Sequence, residues 1–168
     1  MFNNWAICTG AALVILVTLA AGVASLPAVA DAAESYDITS CGASTITTVS
    51  TSQELTVLAI DIKGIARSTT EKKAFDNSTY HCASVLRIRG NERGGLGYCK
   101  FMDPDGDFVI GEQAVGPGDT QWKFLHGTGK WKGISGGGTF IPVTTGKPIA
   151  PGTGQGCVRA TGTYKLSK

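Results

Sequence analysis

Residues 80–102 read Tyr-His-Cys-Ala-Ser-Val-Leu-Arg-Ile-Arg-Gly-Asn-Glu-Arg-Gly-Gly-Leu-Gly-Tyr-Cys-Lys-Phe-Met. Tyr80 to Arg89 is a β-rich run in which Cys82, Leu86 and Ile88 fall on one face and Val85, Arg87 and Arg89 on the other, the period of two that a strand imposes. Glycines gather from Gly90 to Gly97, and a second β-rich run, Gly97 to Met102, follows. The stretch predicts a hairpin with Cys82 and Cys99 opposed across it, placed to form a disulfide.

Working outward, the same texture recurs. No long amphipathic helix stands out beyond residue 30; short β-rich segments alternate with Gly, Pro, Asp and Asn, so the fold class is all-β. Besides Tyr80 to Arg89 and Gly97 to Met102, the candidate strands are Tyr36 to Thr39, Thr45 to Ser50, Leu55 to Lys63, Phe108 to Gln113, Gln121 to Leu125, Lys130 to Ile134, Gly138 to Val143 and Gly156 to Lys165. Ala66 to Asn77 is polar and weakly helical, and reads as a surface connection. Of 23 glycines, all but Gly10 and Gly22 lie beyond residue 30. Gly127, Gly129 and Gly133 sit where a curling sheet needs relief from crowding, which favours a single antiparallel barrel in meander hairpins over a flat sheet.

The first 30 residues contain no Asp, Glu, Lys or Arg. Ala11 to Ala24 is an apolar run, Pro27 breaks it, and Ala28-Val29-Ala30 is an A-x-A site, so residues 1–30 are expected to be a signal peptide cleaved after Ala30, with Ala32 the near alternative. The n-region lacks Lys and Arg, which leaves an uncleaved anchor as the competing reading. Residues 31–168 form one domain; a chain of that length buries roughly 68% of its unfolded surface and supports one core. Cys8 leaves with the signal, and Cys41, Cys82, Cys99 and Cys157 remain, an even set without a C-x-x-C pair, which suits structural disulfides in an oxidising compartment. Four cysteines permit three pairings, and local topology ranks Cys82 with Cys99 first, in which case Cys41 and Cys157 would join the first and last strands; free buried thiols are the competing reading. The chain is expected to be secreted or periplasmic, with no membrane partner once the signal is removed.

Fifteen basic and thirteen acidic residues leave a net charge of +2, too balanced for a nucleic-acid binder. From Gln121 onward there are basic residues and no acid, whereas Asp31 to Asp61 holds acids and no base. Pairing of the terminal strands accounts for this; a basic patch of Lys123, Lys130, Lys132 and Lys147 is the sharper alternative.

Asp103-Pro104-Asp105-Gly106-Asp107 resembles the start of a calcium loop, but positions six and twelve of an EF-hand fall on Phe108 and Ala114. The string is a good turn sequence, with Asp103, Asp105 and Asp107 kept as weak metal candidates in a chain where no metal or other cofactor is expected. Gly127-Thr128-Gly129-Lys130 lacks the rest of a phosphate loop. His81 and His126 carry no triad or two-histidine metal spacing, and Asn77-Ser78-Thr79 is a sequon whose plainer meaning is a turn. By parity Glu112 shares an apolar face with Phe108 and Ile110, making it the candidate catalytic acid, with Lys123 or Arg87 opposing it. Arg87, Trp122 and Lys123 are the candidate ligand-binding residues.

Asp103-Pro104-Asp105-Gly106-Asp107, Trp122-Lys123-Phe124 and Gly127-Thr128-Gly129-Lys130-Trp131-Lys132-Gly133-Ile134 with its following glycine run resemble small exported bacterial proteins of the allene-oxide-cyclase-like barrel group, whose architecture the dirigent proteins share. The motifs lie within Tyr80 to Phe140. The resemblance implies an eight-stranded antiparallel barrel holding an apolar, reactive small molecule and directing its ring closure or coupling largely by shape. It transfers no catalytic position to this chain. Three functions are therefore expected in order: binding of a lipophilic small molecule in the barrel, a cyclase or isomerase of the same shape using Glu112, and a structural or stress-related envelope protein with a solid barrel. The residues do not specify an oligomeric state.

Overall fold

Residues 34–51 are rich in Thr and Ser, with Ile38, Ile46 and Val49 among them, and these branched or short side chains suit an extended backbone better than a helix. In the computed structural model, which describes residues 32–167, they form one continuous strand, β1 (Glu34–Thr51). It is followed by β2 (Thr56–Ser68), β3 (Ser78–Arg89), β4 (Glu92–Met102), β5 (Phe108–Val115), β6 (Thr120–Gly127), β7 (Ile134–Thr145) and β8 (Thr153–Leu166). Every strand is antiparallel to its chain neighbour and β8 returns to β1, so the sheet closes as an eight-stranded meander barrel. Closure gives every strand a partner on both sides, with the β6–β7 ladder confined to Thr120–Lys123 against Gly137–Phe140. Register shifts between Thr48 and Ser50, Ile110 and Gly111, and Pro142 and Thr144 supply local bends that help the sheet curl. The expected signal segment, with its cleavage after Ala30, lies outside the described residues.

Ten candidate strands become eight. Tyr36 to Thr39 and Thr45 to Ser50 are parts of β1, because Ser40 to Ser44 keep the ladder to β2 and β8 intact across Gly42. Lys130 to Ile134 is not a strand. Trp131 N–H donates to Thr128 O and Lys132 N–H to Gly129 O, forming a 3-10 turn over Gly129–Trp131, and only Ile134 begins β7. The glycine run after Arg89 is not a long turn either: Gly90, at φ 56°, and Asn91 make the reversal, and β4 starts at Glu92. Ala66 belongs to β2; residues 69–77 are the expected connection, but not wholly a surface one, since they bury Ala74 and Phe75.

Both disulfides expected from the sequence are present. Cys82–Cys99 joins directly opposed residues of β3 and β4, and Cys41–Cys157 joins directly opposed residues of β1 and β8, the pair that closes the barrel. The first points into the barrel, with Cys99 1% exposed; the second lies on the strand positions that face outward. Such bonds belong to an oxidising compartment.

One end of the barrel carries the four tight hairpins at 52–55, 90–91, 116–119 and 146–152; the other carries the first described residues and the connections 69–77, 103–107 and 128–133. The core is concentrated at this second end. Tyr36, Phe75, Phe124, Trp131 and Tyr164 form one aromatic cluster, with Phe75 at its centre 5.5 Å from Tyr36, 5.6 Å from Phe124 and 5.8 Å from Tyr164. Trp122 extends the cluster to Phe101 and Phe140. An eight-stranded barrel is only wide enough for side chains to fill, so rings of this size need glycine opposite them. Tyr80 lies across the facing pair Gly42 and Gly64, Trp122 across Gly111, and the Tyr36 hydroxyl across the facing pair Gly138 and Gly162.

Candidate functional site

Towards the hairpin end the inward positions change from aromatic to small. On β1 they are Ser40, Gly42 and Ser44, on β4 Gly95 and Gly97, on β8 Gly154 and Gly156. Small side chains inside a barrel of this diameter leave space, and a cavity of about 460 Å³ results. Phe101 and Phe140 form its floor and separate it from the aromatic cluster, where the remaining void is about 10 Å³. Ile46, Ile60, Ile62 and Val158 make its walls apolar, and it reaches Arg93, Val115, Thr120 and Thr145 at the strand ends beside the hairpins. The interior is thus packed solid at one end and hollow at the other.

Few polar groups face this space. The Gln113 side-chain amide donates to Ser84 Oγ at 2.6 Å, and Ser44 Oγ donates to Gly154 O at 3.2 Å. Ser40 is 2% exposed and its hydroxyl has no partner. Burial raises the pKa of the Tyr80 phenol, keeping it a neutral donor at physiological pH. Among the described residues no carboxylate lines the cavity.

The sequence candidates are dispersed by the fold. Glu112 does share a face with Phe108 and Ile110, but that face is the outer one. The inward residues of β5 are Val109, Gly111, Gln113 and Val115. On that outer face Lys100 Nζ rests 4.2 Å from the centre of the Phe108 ring, and Glu112 accepts a hydrogen bond from the exposed Tyr98 hydroxyl at 3.1 Å. It is no buried acid facing a ligand. Lys123 stands opposite Glu112 on the same outer face, and Arg87 is exposed on the outside of β3. Trp122 does point inward, at 5% exposure, but into the packed half. What reasoning on charged residues missed was the run of small residues two apart at inward positions, visible in Gly42-x-Ser44, Gly95-x-Gly97 and Gly154-x-Gly156.

Asp103, Asp105 and Asp107 work as a fastener. Asp103, its side chain 4% exposed, accepts the Trp131 indole N–H at 2.9 Å and the Lys130 ammonium at 2.8 Å, together with the backbone N–H groups of Asp105 and Asp107. Lys130 also reaches Asp105 at 2.6 Å, and its backbone N–H donates to Asp107. Burial opposes ionisation of Asp103, and the Lys130 ammonium and the indole N–H outweigh it, holding the carboxyl below the usual aspartate range. These oxygens are engaged by an ammonium and N–H donors where a calcium loop would turn them to a cation.

The lysines do not cluster. Lys147 lies in the hairpin 146–152, Lys130 and Lys132 in the connection at the opposite end, and Lys123 on a strand between. Complementary pairing of the terminal strands is real: Arg159 of β8 holds Asp37 of β1 through both carboxylate oxygens, with Nε–Oδ1 2.9 Å. His81 bonds Asp61 on the outer face, and His126 lies on the outside beside Phe108.

The eight-stranded barrel is the architecture that the allene-oxide-cyclase-like and dirigent resemblance implied. No family model matches the chain, and no curated protein matches it. Among solved structures, the pterocarpan synthase dirigent protein is similar, with a TM-score of 0.49 and 10% sequence identity over 81% of this chain and 90% of that one.

Proposed function

We propose that this protein binds a lipophilic small molecule in the hollow half of its barrel, in a secreted or periplasmic setting. The observation that carries the reading is the cavity of about 460 Å³, within the range of roughly 300–1,000 Å³ usual for small-molecule sites, apolar in its walls and furnished with a few fixed polar groups. A packed barrel would have filled this space with side chains, as its other end does. Gln113 and Ser84 present a polar contact held in place by their own hydrogen bond, and Ser40 brings an unpaired hydroxyl. The two disulfides support export, and they brace the wall on opposite sides of the space.

The test is displacement of an uncharged, environment-sensitive naphthylamine dye, with native mass spectrometry of protein purified from its own host. Saturable one-to-one dye binding, lost in Ser44→Phe, which fills the space from β1, is the expected result. Unchanged binding in that variant would place the dye elsewhere and remove the reading.

A further inference from the structure

Ser84 of β3, Gly97 of β4 and Gln113 of β5 stand in one register row on the inward face: Ser84 is opposite Gly97, and Gly97 is opposite Gln113. A Cβ on residue 97 would come within 2.5 Å of Ser84 Oγ. Its absence leaves a lane across β4, and through it the Gln113 amide donates to Ser84 Oγ at 2.6 Å. Gln113 is the inward residue next below Val115, which ends β5, so the amide stands on the wall just inside the mouth. A glutamine amide has two N–H donors and an acceptor oxygen, so the bond to Ser84 leaves it an N–H and its carbonyl oxygen. Below it the space is bounded by Ile46, Ile60, Ile62 and Val158, and by Phe101 and Phe140 at the floor.

Charge does not select the ligand. Among the described residues that line the cavity Arg93 is the one that carries a charge, and it stands at the mouth, where β4 begins. The same end of the barrel holds Arg89 and Lys147, but also Glu54, Glu92 and Asp119, so the rim as a whole favours neither sign. Deeper in, no ammonium, guanidinium or carboxylate among the described residues faces the space. A charged group carried inward would leave water without meeting a counter-ion, which apolar walls do not offset.

We infer that the cavity selects uncharged molecules carrying an oxygen function, a hydroxyl or a carbonyl, at one end of an apolar body, and that Gln113 is the residue that reads this oxygen. The inference rests on the lipophilic-ligand reading and adds to it the charge and the orientation of the ligand. The oxygen lies at the Gln113 amide just inside the mouth, and the apolar body runs down to Phe101 and Phe140. Ser84 and Gly97 are positioning residues: the first tethers the amide and the second leaves it room. Because the tether fixes the Gln113 side chain before a ligand arrives, little of its freedom is lost on binding. A hydrocarbon of the same shape would cover the remaining N–H and carbonyl oxygen without pairing them, and is disfavoured for that reason.

The experiment is displacement of the naphthylamine dye from the disulfide-bonded protein by octanol, octene, octanoate and octylammonium at about pH 8, where the last two are ionised. The wild type is expected to bind octanol at least about tenfold more tightly than either ion. Gln113→Leu should lower octanol affinity about tenfold and leave octene affinity unchanged or raised. Ser84→Ala, which only frees the amide, should lower octanol affinity about threefold with the same selectivity. Ser44→Phe should block every probe, and its failure to do so removes the cavity reading itself. If Ser44→Phe blocks them but Gln113→Leu weakens octanol and octene alike, or leaves octanol unchanged, this inference fails while the cavity reading stands. Octanoate binding as tight as that of octanol overturns it as well, by giving the selection to Arg93. So does a loss of octanol affinity in Tyr80→Phe larger than that in Gln113→Leu, which would move the oxygen to the floor.

Discussion

Phe75 lies face to face on Trp131, with ring centroids 4.5 Å apart and planes 15° from parallel. One ring comes from the connection after β2 and the other from the turn before β7, so the contact sews two loops into a plug at one end of the barrel. Phe75 has a φ of 60°, and Lys73 and Asn77 beside it are also left-handed, at 53° and 55°. A bulky side chain at positive φ is strained by about 1–2 kcal/mol. Burial of the ring among four other aromatic residues offsets that strain. Phe75→Ala is expected to destabilise the protein by about 3–5 kcal/mol in urea unfolding. Lys73→Gly, which relieves a strained exposed residue, should instead raise stability by about 1 kcal/mol.

Asp103 and Asp37 make stability depend on acid. The Arg159 guanidinium is the main cause for Asp37; for Asp103, burial acts the other way and is outweighed by Lys130 and the Trp131 indole. Both carboxyls are held below their ordinary value, so the unfolded chain binds protons more readily than the folded one. The stability they supply is therefore complete above about pH 4 and drains away as the pH falls through their lower folded values. Thermal unfolding followed from pH 7 to pH 2 should show this loss. Asp103→Asn should be less stable at pH 7, by about 1–3 kcal/mol, with a shallower acid limb. An acid limb as steep as that of the wild type would remove Asp103 from this account.

The disulfides should differ in weight. Cys41–Cys157 spans 116 residues of sequence and Cys82–Cys99 spans 17. In the chain-entropy model the longer loop constrains the unfolded chain by roughly 5 kcal/mol and the shorter by roughly 3 kcal/mol. Double replacement by serine of the first pair should lower the urea midpoint more than replacement of the second. The reverse order would indicate that the inward Cys82–Cys99 bond matters chiefly for packing.

Ser40→Ala separates stability from binding. A buried hydroxyl without a partner costs the folded state about 1–3 kcal/mol, so its removal should raise the melting temperature of the ligand-free protein. If the hydroxyl meets a polar group of the bound molecule, the same change should weaken retention of the native ligand in mass spectrometry. A gain in stability with unaltered retention would show that the ligand makes no use of Ser40.

Much of the architecture was legible in residues 34–167. Alternation in Tyr80 to Arg89 reported a true inward face, and Cys82 and Cys99 paired across the hairpin as their positions required. Lys130 to Ile134 misled because alternation over five residues does not distinguish a strand from a turn that drops one tryptophan inward; the buried acid that receives its indole N–H, Asp103, is 28 residues away. Glu112 misled for a related reason. Parity correctly grouped it with Phe108 and Ile110, but parity alone does not say which group faces inward.

By itself, then, the sequence determined that the chain is all-β, favoured a barrel of hairpins over a flat sheet and ranked first the cysteine pairing that forms, because these follow from local period, turn chemistry and the spacing of a few residues. Only the tertiary structure decided where the barrel is full and where it is hollow. That division depends on which side chains converge from all eight strands at one height, and on a plug built from Phe75 and Trp131, whose positions are 56 residues apart in sequence and one ring thickness apart in space.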